Sequence, residues 1–155
     1  MNNKEVMTLL KEKEKRIKLK GYENDFTSFA EEQIQIITKD TSKGFIPFEF
    51  NECQQRITDA LTEQQEKTGM VRVIILKARQ QGISTYCAGR VFWKSYFSPH
   101  SRSVVMAHDS ATSDALFSMS KNLIRNMQGD LVPKEITSNA KEIKIQSPAY
   151  NDKDA

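Results

Sequence analysis

The sequence predicts an α/β protein, a parallel sheet flanked by helices, and three observations predict it. Val71-Arg72-Val73-Ile74-Ile75-Leu76 is a β-branched apolar run without alternation, the pattern of a strand buried on both faces of a parallel sheet. A polar loop from Lys77 to Gln81 follows, then Gly82 and the hydroxyl residues Ser84 and Thr85, which open a helical pattern. From residue 71 the order reads strand, loop, helix, strand, helix, strand, the alternation expected of right-handed parallel crossovers. The sheet is expected to be incomplete at the C-terminus, because the sequence ends soon after the third strand.

Bulk properties narrow the class. A chain of 155 residues with 38% hydrophobic and 28% charged content suits one globular domain with a real core. No apolar run reaches the roughly 18 residues of a membrane span, and the charged N-terminus lacks the apolar core of a signal peptide. Cytoplasmic residence without membrane attachment is the expectation. Cys53 and Cys87 have no metal-ligand spacing and read as reduced thiols, which argues against zinc. The net charge of +3 is concentrated at one end: residues 1–20 carry seven Lys or Arg and three Glu. Such an arm suits phosphates of nucleic acid as well as it suits a solvated helix face.

Taken in order, residues 4–19 form helix, with Val6, Leu10 and Ile17 as a thin apolar stripe and Gly21 as its stop. Ser28 and Glu31 read as a capping box that starts a short helix. Ile34 and Ile36 alternate with polar residues over 33–38, residues 39–44 are turn-rich, and 45–50 return as an edge strand that Pro47 keeps from a central place. A hairpin follows from that pattern. Asn51 and Gln54 form a second capping box for a helix to about Lys67, whose apolar face is Ile57, Ala60 and Leu61 and whose stop is Gly69. Beyond the strand at 71–76, a helix runs from Ser84 to Phe97 and ends at Ser98-Pro99. Arg102 to Ala107 is a second apolar strand, Asp109 or Ser110 caps a helix that Gly129 ends, and Glu142 to Gln146 alternates as the third strand. Phe92 and Trp93 read as core, His100 as a surface turn residue, and His108 as a structural or loop histidine.

The stretch from residue 71 to 85 has the layout of a phosphate-binding loop. In such a loop, backbone N–H groups and a helix N-terminus hold an anion. Its spelling departs from G-x-x-x-x-G-K-[ST]: Lys77 stands for the first glycine and Ile83 for the lysine. Gly82 gives close backbone approach, and Ser84 falls where a Mg²⁺-ligating hydroxyl belongs, with Thr85 in reserve. Lys77 and Arg79 are the cations available to a triphosphate, Arg79 with bidentate geometry. Gln80 and Gln81 read as polar loop residues on the surface.

The segment from Arg72 to Tyr86 resembles large terminase subunits of tailed bacteriophages, the ATP-driven motors that package DNA. Members of that family often shift the loop lysine toward its start, as at Lys77, and carry an arginine at the place of Arg79. Phe48 to Ile57 resembles the family's adenine-recognition segment, with its glutamine falling on Gln54 and Gln55 as runner-up. Val104 to Asp109 with the helix carrying Phe117, and Ser138 to Ile143, resemble its next strands and helix. The likeness covers roughly residues 26–146. It implies a P-loop NTPase-type sheet and catalytic roles for Lys77 and Arg79. ATP would be held by Gln54, Gln80, Gln81, Gly82, Ile83, Ser84 and Thr85, and Mg²⁺ by the Ser84 hydroxyl. It also implies double-stranded DNA, a small terminase subunit and a portal protein as partners, and a homo-oligomer in the assembled motor. On this division, 1–24 is a basic helical arm, 25–50 a short helix and β-hairpin lead-in, and 51–155 a partial ATPase domain without the nuclease domain. No apolar strand ending in Asp-Glu follows residue 100, so the expected activity is nucleotide binding with poor hydrolysis. The alternatives are a helicase-like motor fragment of another P-loop family, or a non-catalytic module that binds DNA or a packaging partner.

Overall fold

A computed structural model describes residues 2–37 and 44–150. Nine elements and one short 3₁₀ turn follow in chain order. They are α1 (Asn3–Asn24), α2 (Phe26–Gln33), β1 (Gln35–Ile37), β2 (Phe45–Pro47), α3 (Glu52–Thr68), α4 (Ile83–Tyr96), α5 (Ser110–Arg125), the 3₁₀ turn Gly129–Leu131, β3 (Lys134–Ser138) and β4 (Ile143–Gln146). Helices dominate. The strands form two separate antiparallel pairs, β1 with β2 and β3 with β4.

The predicted parallel α/β sheet of P-loop NTPase type is therefore corrected: no parallel sheet forms among the described residues. Residues 71–78 and 101–107 form neither helix nor paired strand, and the third predicted strand pairs backward with β3. The physical reason is that β-branching and apolar runs favour an extended backbone, whereas a strand also needs a neighbour for its N–H and C=O groups. At residue 72 a side chain supplies one instead. Gln64 Oε1 accepts from the Arg72 N–H at 2.7 Å and its Nε2 donates to the Arg72 carbonyl at 3.1 Å. Val73 to Leu76 border an open groove with Ile57, Ala60 and Leu61 of α3, but do not pack against them as a strand would. The 102–107 run is tied through Ser103 Oγ to Ser95 Oγ at 2.7 Å and by the Ala107 N–H donating to Ser113 Oγ at 3.1 Å.

The hairpin is present, with Gln35 opposite Pro47 and Ile37 opposite Phe45. Most of the predicted turn that joins its strands lies outside the described residues. The Asn51–Gln54 capping box forms in both directions, and α3 ends at Gly69 in the left-handed conformation, as its residue type favours. Several boundaries differ from expectation: α5 ends at Arg125 rather than at Gly129, and β2 at Pro47 rather than residue 50. α1 continues past Gly21 to Asn24, and α2 starts at Phe26 with Asp25, not Ser28, as its cap. The Asp25 carboxylate accepts both the Ser28 N–H and the Ser28 hydroxyl, so the serine is spent within the first turn.

The core is aromatic and built on α2 and α4. Phe29, with no exposed surface, packs on Phe92, Tyr96 and Phe97 with ring centroids 5.4–6.1 Å apart. Phe26 meets Phe50, Tyr86 and Trp93 on the same layer. Gly89 sits under them; a Cβ there would lie 3.4 Å from the Phe48 ring and 3.5 Å from that of Phe26. Trp93 Nε1 donates to the Tyr22 carbonyl at 2.7 Å and fastens the end of α1 to α4. Tyr96 donates to the Leu131 carbonyl at 2.7 Å, and Leu123, Ile124 and Met127 close the other side. No helix among the described residues is long and apolar enough to cross a membrane.

Candidate phosphate-binding loop

The loop joins the 71–76 run to the first turn of α4, and its backbone is distinctive at two places. Gln80 and Gly82 both have positive φ, +66° and +67°. Gly82 pays no steric cost for this, while Gln80 holds a conformation that costs a non-glycine residue about 1–2 kcal/mol. Gly82 is the N-cap of α4, and no side chain caps that helix. The N–H groups of the first turn thus have no side-chain cap where α4 begins, and a helix N-terminus carries the partial positive charge that suits an anion.

Around this turn the predicted residues divide. Lys77, Arg79, Gln80 and Gln81 are exposed in the loop, and Ser84 is exposed in the first turn with Thr85 half-buried behind it. Burial holds the Cys87 thiol above its ordinary value, against the smaller opposing pull of the positive charges of Lys77 and Arg90. Arg90 itself lies 5.6 Å from the ring centres of both Phe26 and Trp93, which keeps it on the aromatic layer. Ile83 is buried, so the side chain standing where a lysine is usual belongs to the interior. Gln54 is buried as well, its amide nitrogen turned toward the Gly82 carbonyl.

Contacts that sequence reasoning did not anticipate join the loop and α4 to the start of α3 and its cap. Asn51 Nδ2 donates to the Gln81 carbonyl at 3.2 Å, and Gln54 Nε2 donates to the Gly82 carbonyl at 3.1 Å. One turn on, the Thr58 and Tyr86 hydroxyls meet at 2.9 Å, while Thr58 also donates to the Gln54 carbonyl at 3.0 Å. Asn51, Gln54 and Thr58 stand at i, i+3 and i+7, one face of a helix, which was the available signal. Gln54 and Thr58 are the buried polar residues among those described, and both address the loop and its helix.

No group of three or more His, Cys, Asp or Glu that could hold a metal occurs among the described residues. The donor set at the loop is one serine hydroxyl, so it fits a Mg²⁺ that arrives ligated by phosphates and water and gains Ser84 as a single protein ligand. His108 is paired with Asp109 at 2.7 Å at the start of α5, where the Asp109 carboxylate caps the helix and is held below its usual range by the Thr112 backbone and hydroxyl. That pair is part of the helix cap. No family model, no curated protein and no solved structure matches the chain.

Proposed function

We propose that the loop from Lys77 to Thr85 holds the phosphates of ATP with Mg²⁺, and that the chain is the nucleotide-binding front part of a terminase-type DNA-packaging motor. The observation that carries the reading is the uncapped N-terminus of α4, entered through two left-handed residues and flanked by Lys77 and Arg79. Backbone N–H groups in that arrangement match a phosphate's oxygens, and the two cations offset its charge. The resemblance of residues 72–86 to the terminase loop supports ATP as the ligand and DNA translocation as the use of its hydrolysis in a full-length protein. On that reading, double-stranded DNA, a small terminase subunit and a portal protein are the partners, and copies assemble in the host cytoplasm. Bound Mg²⁺ would neutralise phosphate charge; Ser84 would orient it.

Titration calorimetry with ATP–Mg²⁺ tests the proposal. Lys77→Ala is expected to weaken binding about 10- to 100-fold, the worth of a charge-assisted hydrogen bond of about 1.5–3 kcal/mol. Equal affinity for the wild type and the variant removes Lys77 from the site, and no binding by either overturns the reading.

A second reading draws on α1. Its first half exposes Met7, Leu9 and Leu10, and residues 1–20 together carry seven Lys or Arg against three Glu, which suits a docking arm for DNA or a packaging partner. DNA affinity that falls steeply with salt and disappears on deleting residues 1–20 is its expected signature.

A further inference from the structure

We infer that Asn51 and Gln54 are positioning residues for the loop: they clamp its backbone into shape and read no nucleobase. The binding half of this inference rests on the phosphate reading above; the clamp itself does not.

Four observations lead to it. The Gln54 side chain is 3% exposed, so a base has no access to its amide. Both ends of that amide are engaged, the oxygen by the Asn51 N–H at 3.0 Å and the nitrogen by the Gly82 carbonyl at 3.1 Å. Asn51 is built the same way, its oxygen accepting the Gln54 N–H at 3.0 Å and its nitrogen donating to the Gln81 carbonyl at 3.2 Å. Each residue therefore caps α3 with its oxygen and holds the loop with its nitrogen. The fit is also close. A Cβ on Gly82 would lie 2.8 Å from Gln54 Nε2, so the amide occupies the space that only a glycine leaves.

The consequence is specific. Two consecutive carbonyls, those of Gln81 and Gly82, are drawn toward α3. Holding them there fixes the direction of the following N–H groups at the start of α4. The α3 cap and the loop become one rigid unit, and the phosphate site is pre-organised before any ligand arrives. Nucleobase selectivity, where the protein has it, comes from residues other than Gln54.

The double substitution Asn51→Asp with Gln54→Glu separates the two jobs. Both carboxylates keep the capping oxygens, so α3 retains its reciprocal cap, while both donors to the loop are lost. Gln54→Met removes the donor without adding charge. Hydrogen exchange on the unliganded protein is expected to show faster exchange at the Tyr86 N–H, which donates to the Gly82 carbonyl, with α3 unchanged in the double variant. Unchanged exchange at Tyr86 overturns the clamp. Affinities for ATP, GTP and inorganic tripolyphosphate are expected to fall together in Gln54→Met, by about 3- to 10-fold for one neutral hydrogen bond. A selective loss of ATP overturns the inference by making Gln54 a base reader. Should none of the three bind even the wild type, the phosphate reading fails while the exchange result still decides the clamp.

Discussion

Two apolar regions of this molecule meet opposite fates. The rings of Phe26, Phe29, Phe92 and Tyr96 are sealed between α2 and α4, whereas Ile74 and Leu76 stand fully in solvent at 99% and 101% exposure. Val104 and Met106 in the 102–107 run are likewise exposed. The difference is one of partnership. Helices satisfy their own backbone groups and need only a face to bury, so α2 and α4 complete a core from local material. An extended run leaves every second N–H and C=O turned outward on each edge and requires another strand before its side chains can be covered.

The largest expected effect lies in the sealed region. Phe29→Ala should cost about 3–5 kcal/mol in urea unfolding, because it empties a site enclosed by four other rings. A cost under 1 kcal/mol would erase the contrast. Next comes the joint between the regions. Gly82→Ala places a Cβ in left-handed backbone and against Gln54 Nε2, and should cost about 1–3 kcal/mol. An unchanged midpoint would mean that the loop carries no defined shape.

A smaller effect concerns alkaline pH. Burial first, then the Glu32 carboxylate at 2.6 Å, push the Tyr22 phenol from 10.0 up to about 12. The folded protein thus keeps a proton that the unfolded chain loses. The contribution is complete below pH 10 and is lost as pH rises through 12. Tyr22→Phe should flatten the decline of stability between pH 10 and 12, measured by denaturant unfolding across that range. The same slope in both proteins would show the phenol to be exposed in solution. Smallest of all is Ile74→Ser, expected to shift stability by no more than about 0.5 kcal/mol, since it removes no buried contact. A loss above 2 kcal/mol would reveal that this segment is covered after all.

The comparison also separates what is legible in a sequence from what is not. Caps and stops are local chemistry, and Asn51, Gln54, Gly69 and Asp109 act where their residue types indicate. Even locally two neighbours compete, as when Asp25 takes the cap that Ser28 offers. Pairing is non-local. The apolar spelling of 71–76 specifies an extended chain and nothing about what lies beside it, so a central parallel strand was a reasonable expectation and the wrong architecture. β3 escaped notice because Lys134 to Ser138 is polar except at Ile136 and has only that residue and its partner β4 to mark it. At the loop, the residue types pointed to backbone geometry at Gly82. They did not reveal that Asn51 reaches across 30 positions to hold the Gln81 carbonyl.

Trp93 is the only tryptophan in the sequence, and it sits at the seam between α1 and α4 with its indole N–H on the Tyr22 carbonyl and Arg90 over its face. The molecule consequently carries its own optical probe, placed on the sealed side. Its emission should move to longer wavelength when α1 parts from α4 and stay constant when the loop alone rearranges. Fluorescence and hydrogen exchange in one sample would then watch the two regions independently.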